Sequence, residues 1–296
     1  MTDPLASPPS DIQRIVFLGT PDVSAVSLRA LVVAGFDIPL VVSRPDRRRG
    51  RGSRSTPSPV KEAAIELELP VSDDLADVAG LDVDLGVVVA YGRIIPVSLL
   101  AEIPMVNIHF SLLPRWRGAA PVERAILAGD TETGVCLMEV AEGLDEGGVY
   151  ARATTDIGEN ESAGELRDRL AVLGADLLVT SLGRGLDQAE PQVGEPTYAA
   201  KIERQESRLD FATTAMENHR TVRVGRAWAQ FRGKRLGIEQ AVVVPGSGSP
   251  GELNGVRVAT ADGLLELITV KPEGKRAMPA VDWVNGVRPE PGEHLG

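Results

Sequence analysis

An asparagine and a histidine stand two residues apart in Asn107-Ile108-His109, at the end of an apolar run. In a strand, residues i and i+2 point to the same side. Asn107 and His109 therefore project together, and an amide N–H and an imidazole N–H aimed at one point polarise a carbonyl oxygen that becomes an oxyanion. The chain continues Phe110-Ser111-Leu112-Leu113-Pro114-Arg115-Trp116-Arg117-Gly118. Ser111, Leu112, Leu113 and Pro114 make a tight, mostly apolar stretch suited to the wall of a pocket for a flat ligand. Asp145 lies in Gly143-Leu144-Asp145-Glu146-Gly147-Gly148, where glycines let backbone approach a ligand. It is the candidate proton acceptor. Oxyanion donors, a base and positioning are what acyl transfer to an amine requires. Alone, Asn107 and Asp145 read as turn residues and His109 as a satisfied core histidine. Together, in this order, they read as a site.

Such residues need elements to hold them. Arg14 to Leu18 reads as a short buried strand. Gly19-Thr20-Pro21-Asp22 turns it, with Asp22 as cap for a helix over Val23 to Ala34. Strands are expected at Phe36–Val42, Asp84–Ala90, Pro104–His109, Gly134–Val140 and Gly148–Thr154. Helices are expected at Val60–Glu68, Pro121–Ala128 and Ser162–Leu186. Val89, Ala90, Tyr91 and Gly92, closing the third strand, form a second candidate wall of the ligand pocket. Strands alternating with helices predict an α/β fold with a mostly parallel, Rossmann-like sheet covered on both faces. Closely spaced short strands after Glu206 predict a small OB-like β-barrel, with one helix at Phe211–Val222. The expected organisation is a flexible tail (1–13), a catalytic domain (14–190), a linker (191–206) and the barrel domain (207–296). A dinucleotide-binding oxidoreductase would need Gly-x-Gly-x-x-Gly after the first strand; Gly19-Thr20-Pro21 stands there instead.

Charge adds a partner. The 296 residues carry a net −11, yet Arg44 to Arg54 holds six arginines against one aspartate, a local +5. Arg220 to Ile238 carries five arginines and Lys234 with no acid. Two basic islands on an acidic body suggest a localised polyanion contact, as well as two solvated loops. Arg47 and Arg51 are the candidate contacts in the first island, and Lys61 either holds the base of that loop or meets a phosphate. The single cysteine, Cys136, gives no internal disulfide and sits in an apolar strand as a packing residue. Three scattered histidines give no metal-ligand spacing, so no metal is expected. Strand-sized apolar runs and a polar start without a signal-peptide pattern predict a cytoplasmic protein with no membrane span. No obligate protein partner is evident.

The Asn-x-His-x-Ser-Leu-Leu-Pro core with a downstream Asp resembles the folate-dependent formyltransferases. Further segments match in order: Gly19-Thr20-Pro21-Asp22, Pro45-Asp46-Arg47 with Gly50-Arg51-Gly52, Pro57-Ser58-Pro59-Val60-Lys61, Val89-Ala90-Tyr91-Gly92 and Lys271-Pro272-x-Gly274-Lys275-x-Ala277-Met278. The Arg-Gly loop and the Pro-Ser-Pro-Val-Lys segment point to the branch of that family that acts on tRNA. The resemblance implies 10-formyltetrahydrofolate as formyl donor and the methionyl amine of initiator tRNA as acceptor. A sugar-nucleotide N-formyltransferase would share Asn107, His109 and Asp145. The chain departs from the family pattern at Val23, at Cys136, and around Trp228, where a Pro-Trp-Pro is usual.

Overall fold

The computed structural model of the protein describes residues 5–48 and 55–296. Its contacts divide the chain into two compact units. The first comprises residues 1–121, 132–156 and 167–199; the second comprises residues 122–131, 157–166 and 200–296.

The strands of the first unit are β1 (Arg14–Gly19), β2 (Asp37–Val42), β3 (Arg47–Arg48), β4 (Ser55–Thr56), β5 (Val71–Ser72), β6 (Leu85–Val89), β7 (Met105–His109), β8 (Arg117–Gly118), β9 (Glu132–Glu139), β10 (Val149–Asp156) and β11 (Tyr198–Ala199). Helices α1 (Asp22–Val33), α2 (Pro59–Glu66), α3 (Val97–Glu102), α4 (Pro121–Ala128) and α5 (Ala163–Arg184) follow in the same chain order, the last two running across the boundary between units. Among the described residues one sheet has the order β10-β9-β7-β6-β1-β2-β5. Pairing is parallel from β7 to β5, and β9 and β10 add antiparallel strands at one edge.

Alternation along the strands splits the core in two. Ile15, Phe17, Leu85, Val87, Val89, Val106 and Ile108 face Leu28 and Leu31 of α1, Val60 of α2 and Leu178 of α5. Val16, Leu18, Val42, Val88 and Met105 face Leu99 and Leu100 of α3 together with Tyr91. Met105 and Ile108 on opposite faces fix the remaining residues of β7: Asn107 and His109 share the face of Met105. The order of the strands reverses between β1 and β6, whose last residues Gly19 and Val89 are register partners. Open α/β sheets bind ligands in the crevice at such a reversal.

Two short features escape a reading by periodicity. β3 and β4 form a two-residue antiparallel ladder, Arg47 opposite Thr56 and Arg48 opposite Ser55. β8 and β11 pair in parallel, Arg117 with Tyr198 and Gly118 with Ala199. β11 thus lies in the stretch read as a linker. In the stretch read as a tail, Ile12 is buried and the Ala6 N–H bonds the Leu100 carbonyl at 3.0 Å. The cap of α1 is Pro21, and Asp22 is the first helical residue, its carboxylate taking the Val23 N–H.

The second unit carries α6 (Ala215–Val224), β12 (Trp228–Phe231), β13 (Lys234–Val244), β14 (Leu253–Asn254), β15 (Arg257–Ala259), β16 (Leu264–Pro272), β17 (Met278–Pro279) and α7 (Ala280–Val287). Its sheet is antiparallel in the order β12-β13-β16-β15-β14, with β17 on β16. The last residues bond both edges. Gln230 and Gly296 exchange N–H···O bonds at 2.5 and 2.9 Å, while Leu295 and Glu293 bond Gly251 and Leu253 at 2.8 Å. The tail thereby turns an open sheet into a closed one. Helix α6 starts later than its apolar pattern suggests because Thr214 and Glu217 form a capping box, a Thr-x-x-Glu signature present in the sequence.

Candidate functional site

The carboxyl end of β7 carries Asn107, half-buried, and His109, 5% exposed. Their ladder partners on β9 are Met138 and Cys136. Cys136, Met138, Leu113 and Val149 form a small buried cluster on this flank. Burial pushes the Cys136 thiol up, and the fold uses it as a packing group.

Asp145 meets His109 from the loop between β9 and β10. Its Oδ2 lies 3.6 Å from His109 Nδ1, and its side chain is 16% exposed. The same oxygen accepts the Gly118 N–H at 2.8 Å. Asp145 has φ +52°, a left-handed conformation that Asp and Asn tolerate better than other residues with a Cβ. A Cβ on the neighbouring Gly147 would stand 2.1 Å from the Glu139 carbonyl oxygen, so the turn closes only over glycine.

His109 Nε2 lies 2.9 Å from the Trp116 carbonyl. A carbonyl only accepts, so Nε2 carries the proton of that bond. The nitrogen turned towards Asp145 is Nδ1, which becomes a donor when the ring is charged. The Asn107 carboxamide makes no hydrogen bond to any described residue, which leaves its N–H groups available at the strand end.

The structure brings Asn107, His109 and Asp145 to one place. The candidate wall residues divide by what their side chains do. Val89 is packed in the first core cluster, Tyr91 in the second and Leu113 in the cluster around Cys136, so each offers a pocket mainly its backbone. The Tyr91 hydroxyl is buried with no hydrogen-bond partner among the described residues. Ala90 and Gly92 are positive in φ and form the turn after β6, whose Val89 carbonyl takes the Ser24 hydroxyl at 2.6 Å. The Ser111 hydroxyl donates to the Arg115 carbonyl at 2.5 Å and closes the turn through Leu112 and the cis Leu113–Pro114 bond.

Of the candidate polyanion contacts, Arg47 lies in β3 and Arg51 lies outside the described residues. Lys61 Nζ pairs with Asp46 at 2.8 Å, and the Arg44 guanidinium donates to the Gly92 carbonyl. Both contacts brace the base of the arginine loop.

Sequence reasoning missed four residues around the site. Trp116 supplies the carbonyl that holds His109, and Gly118 the N–H that holds Asp145. Arg117 and Gln192 grip the Asp145 turn. The first three lie in the motif around His109, so their proximity had a signal; Gln192, in a proline- and glycine-rich stretch, had none.

The sheet is mostly parallel, an amide, an imidazole and a carboxylate gather near the end of β7, and the chain is an enzyme of the formyl transferase family. The family pattern matches residues 13–182, and that of the formyl transferase C-terminal domain matches residues 201–288. Within the family it is similar to methionyl-tRNA formyltransferases. It is 45% identical to that of Jannaschia sp. (strain CCS1), over 95% of this chain and 99% of the relative. It is 44% identical to that of Paracoccus denitrificans (strain Pd 1222), over 93% and 97%. Among solved structures, the N-formyltransferase from Helicobacter canadensis in complex with folinic acid and dTDP-3-aminofucose has a TM-score of 0.70 at 18% identity, covering 86% of this chain and 99% of that one. HypX from Aquifex aeolicus in complex with tetrahydrofolic acid has a TM-score of 0.65 at 18% identity over 93% of this chain, which spans 47% of the HypX chain. Both likenesses are of fold. Among the described residues no helix is long and apolar enough to cross a membrane, and no group of three or more His, Cys, Asp or Glu side chains could hold a metal ion.

Proposed function

We propose that the protein transfers a formyl group from 10-formyltetrahydrofolate to the α-amine of methionyl initiator tRNA in the cytoplasm. The observation that carries this reading is the meeting of Asp145 Oδ2 with His109 Nδ1 at 3.6 Å beside Asn107, in a chain 45% identical to a methionyl-tRNA formyltransferase.

The neutral amine attacks the formyl carbon, its lone pair forming the new C–N bond as the carbonyl pair moves onto oxygen. Asn107 donates to that oxyanion, and the His109 imidazole, with Asp145 Oδ2 3.6 Å from its Nδ1, is the second donor. A preorganised donor of this kind contributes roughly 2.7–4 kcal/mol. Asp145 takes the proton shed by the amine, directly or through a water. The tetrahedral carbon then collapses, the bond to folate N10 breaks, and Asp145 passes that same proton to N10, which restores the carboxylate. An α-amine with an ordinary pKa near ~7.7–8 needs little help to lose its proton.

The turns at 89–92 and 111–114 are the proposed folate walls. The loop bearing Arg47 and Arg51, with Lys61 at its base, is the proposed contact for the tRNA acceptor end. A nucleotide sugar would need no such reach.

The test is formyl transfer to methionyl initiator tRNA by the parent beside Asn107→Ala, His109→Ala and Asp145→Ala. Each variant is expected to lose about 10²–10³-fold in kcat. Replacing Arg47 and Arg51 together by alanine should cut transfer to the tRNA sharply while folate binding survives. A folded, folate-binding parent that formylates a dTDP-amino sugar and not the tRNA would overturn the acceptor assignment.

A further inference from the structure

Gln192 lies outside both stretches matched by the family patterns, yet its carboxamide is bonded at every position it has. Its Nε2 donates to the Asp145 carbonyl at 2.8 Å and to the Gly147 carbonyl at 2.9 Å. Its Oε1 accepts from Arg117 Nε at 3.0 Å and Nη2 at 2.9 Å. A primary carboxamide has two N–H donors and two acceptor lone pairs, and all four are used. The third arm of the Arg117 fork, Nη1, pairs with Glu146 Oε1 at 3.2 Å.

These bonds converge on one residue. Asp145 sits in a left-handed conformation that its own side chain does not enforce. Gln192 fixes its backbone from the carbonyl side. Arg117, gripped by the same carboxamide, precedes Gly118, whose N–H fixes the Asp145 carboxylate at 2.8 Å. The stretch after Gln192 continues the grip. Thr197 Oγ1 accepts the Trp116 N–H at 2.8 Å, its backbone exchanges bonds with Pro114 and Arg117, and β11 pairs with β8. Trp116 is the residue whose carbonyl holds His109.

We propose that Gln192 is a positioning residue for the reaction, acting through Asp145: it holds the carboxylate against His109 Nδ1 and has no contact of its own with the reacting atoms. The proposal rests on the assignment of Asp145 above. Its chemistry is specific. Glutamate has the same shape but no N–H to offer two carbonyls, and asparagine is one methylene too short to span from Arg117 to the Asp145 turn.

The experiment measures transfer from 10-formyltetrahydrofolate to methionyl initiator tRNA, in single turnover with excess enzyme. It compares the parent with Gln192→Ala, Gln192→Glu, Asp145→Ala and the double variant Asp145→Ala/Gln192→Ala. A displacement of about 1 Å in a catalytic group costs on the order of 10²-fold, so both Gln192 variants are expected to lose about ten- to a hundredfold in rate. In parallel steady-state runs the KM for either substrate should stay within about twofold, because ground-state contacts are untouched. In the Asp145→Ala background the Gln192 change should cost less than about twofold, since two residues acting as a unit are not additive. A structural role alone would instead lower the rate equally in both backgrounds, and that result overturns the proposal. So does a Gln192→Glu enzyme with parental rate. If Asp145→Ala itself keeps parental rate, the assignment of Asp145 falls and the role of Gln192 with it. If Asp145→Ala is crippled and both Gln192 variants are not, only the role of Gln192 falls.

Discussion

Asp145 and His109 face each other through one pair of atoms, Oδ2 and Nδ1, 3.6 Å apart, while the far nitrogen of the ring is bonded to the Trp116 carbonyl. The imidazole is thus held by its back edge and presented by its front edge. A charge-assisted bond such as Asp145 to the Gly118 N–H contributes about 1.5–3 kcal/mol, enough to hold the carboxylate in that pose.

Gly118 is therefore a sensitive position. Its φ of +119° is one that L side chains rarely adopt, and an added Cβ would stand 3.0 Å from the Ala199 carbonyl oxygen. Gly118→Ala is expected to lower stability by roughly 1–3 kcal/mol. It should also lower kcat about tenfold or more as the N–H swings off Asp145. Thermal unfolding and steady-state kinetics check the two effects separately.

Cys136 is buried beside His109 with its thiol pushed up, so little thiolate exists at neutral pH. Iodoacetamide is expected to leave the folded enzyme unmodified and active, and to alkylate it fully in denaturant. Rapid modification of the native protein would show that this flank opens.

His219 on α6 is buried, with Nδ1 unpartnered, and its pKa is lowered by burial first and by Arg223 second. A hydrogen bond to the Ala241 backbone and the charge of Glu159 oppose this weakly. The fold holds the ring neutral, while the unfolded chain binds a proton near the ordinary 6.5. Below that pH the unfolded state carries more protons, so stability falls as pH drops from about 6.5 towards the lowered value. Melting temperatures between pH 7 and 5 should decline, and His219→Gln should flatten the decline.

The tail 293–296 closes the second unit. Deleting it removes four backbone bonds to the two sheet edges, worth about 0.5–1.5 kcal/mol each, and strips Leu295, which is 2% exposed. The second unit is expected to melt several degrees lower, while the first is unaffected. Leu295→Ala should give a smaller shift in the same direction, read by calorimetry.

Local pattern carried much of this. Short continuous apolar runs located β1, β6 and β7, and the i, i+2 spacing put Asn107 and His109 on one face before any contact was known. The glycines around Asp145 marked a tight turn, and one of them, Gly147, has no room for a side chain. These features are legible because strand geometry and backbone freedom depend on a few neighbouring residues.

What the tertiary structure decided has no local signature. β8 and β11 are two residues long, too short for any periodicity, and their pairing joins positions about eighty residues apart in sequence. The choice of Nδ1 as the face His109 turns to Asp145 depends on where the Trp116 carbonyl falls. The role of Gln192 depends on Arg117, Asp145 and Gly147 arriving around one carboxamide. The sequence by itself determined which side chains could do the chemistry, because that is a property of residue type and spacing. Only the fold decided how they are aimed, because hydrogen-bond direction is set by atoms that meet after the chain has closed on itself.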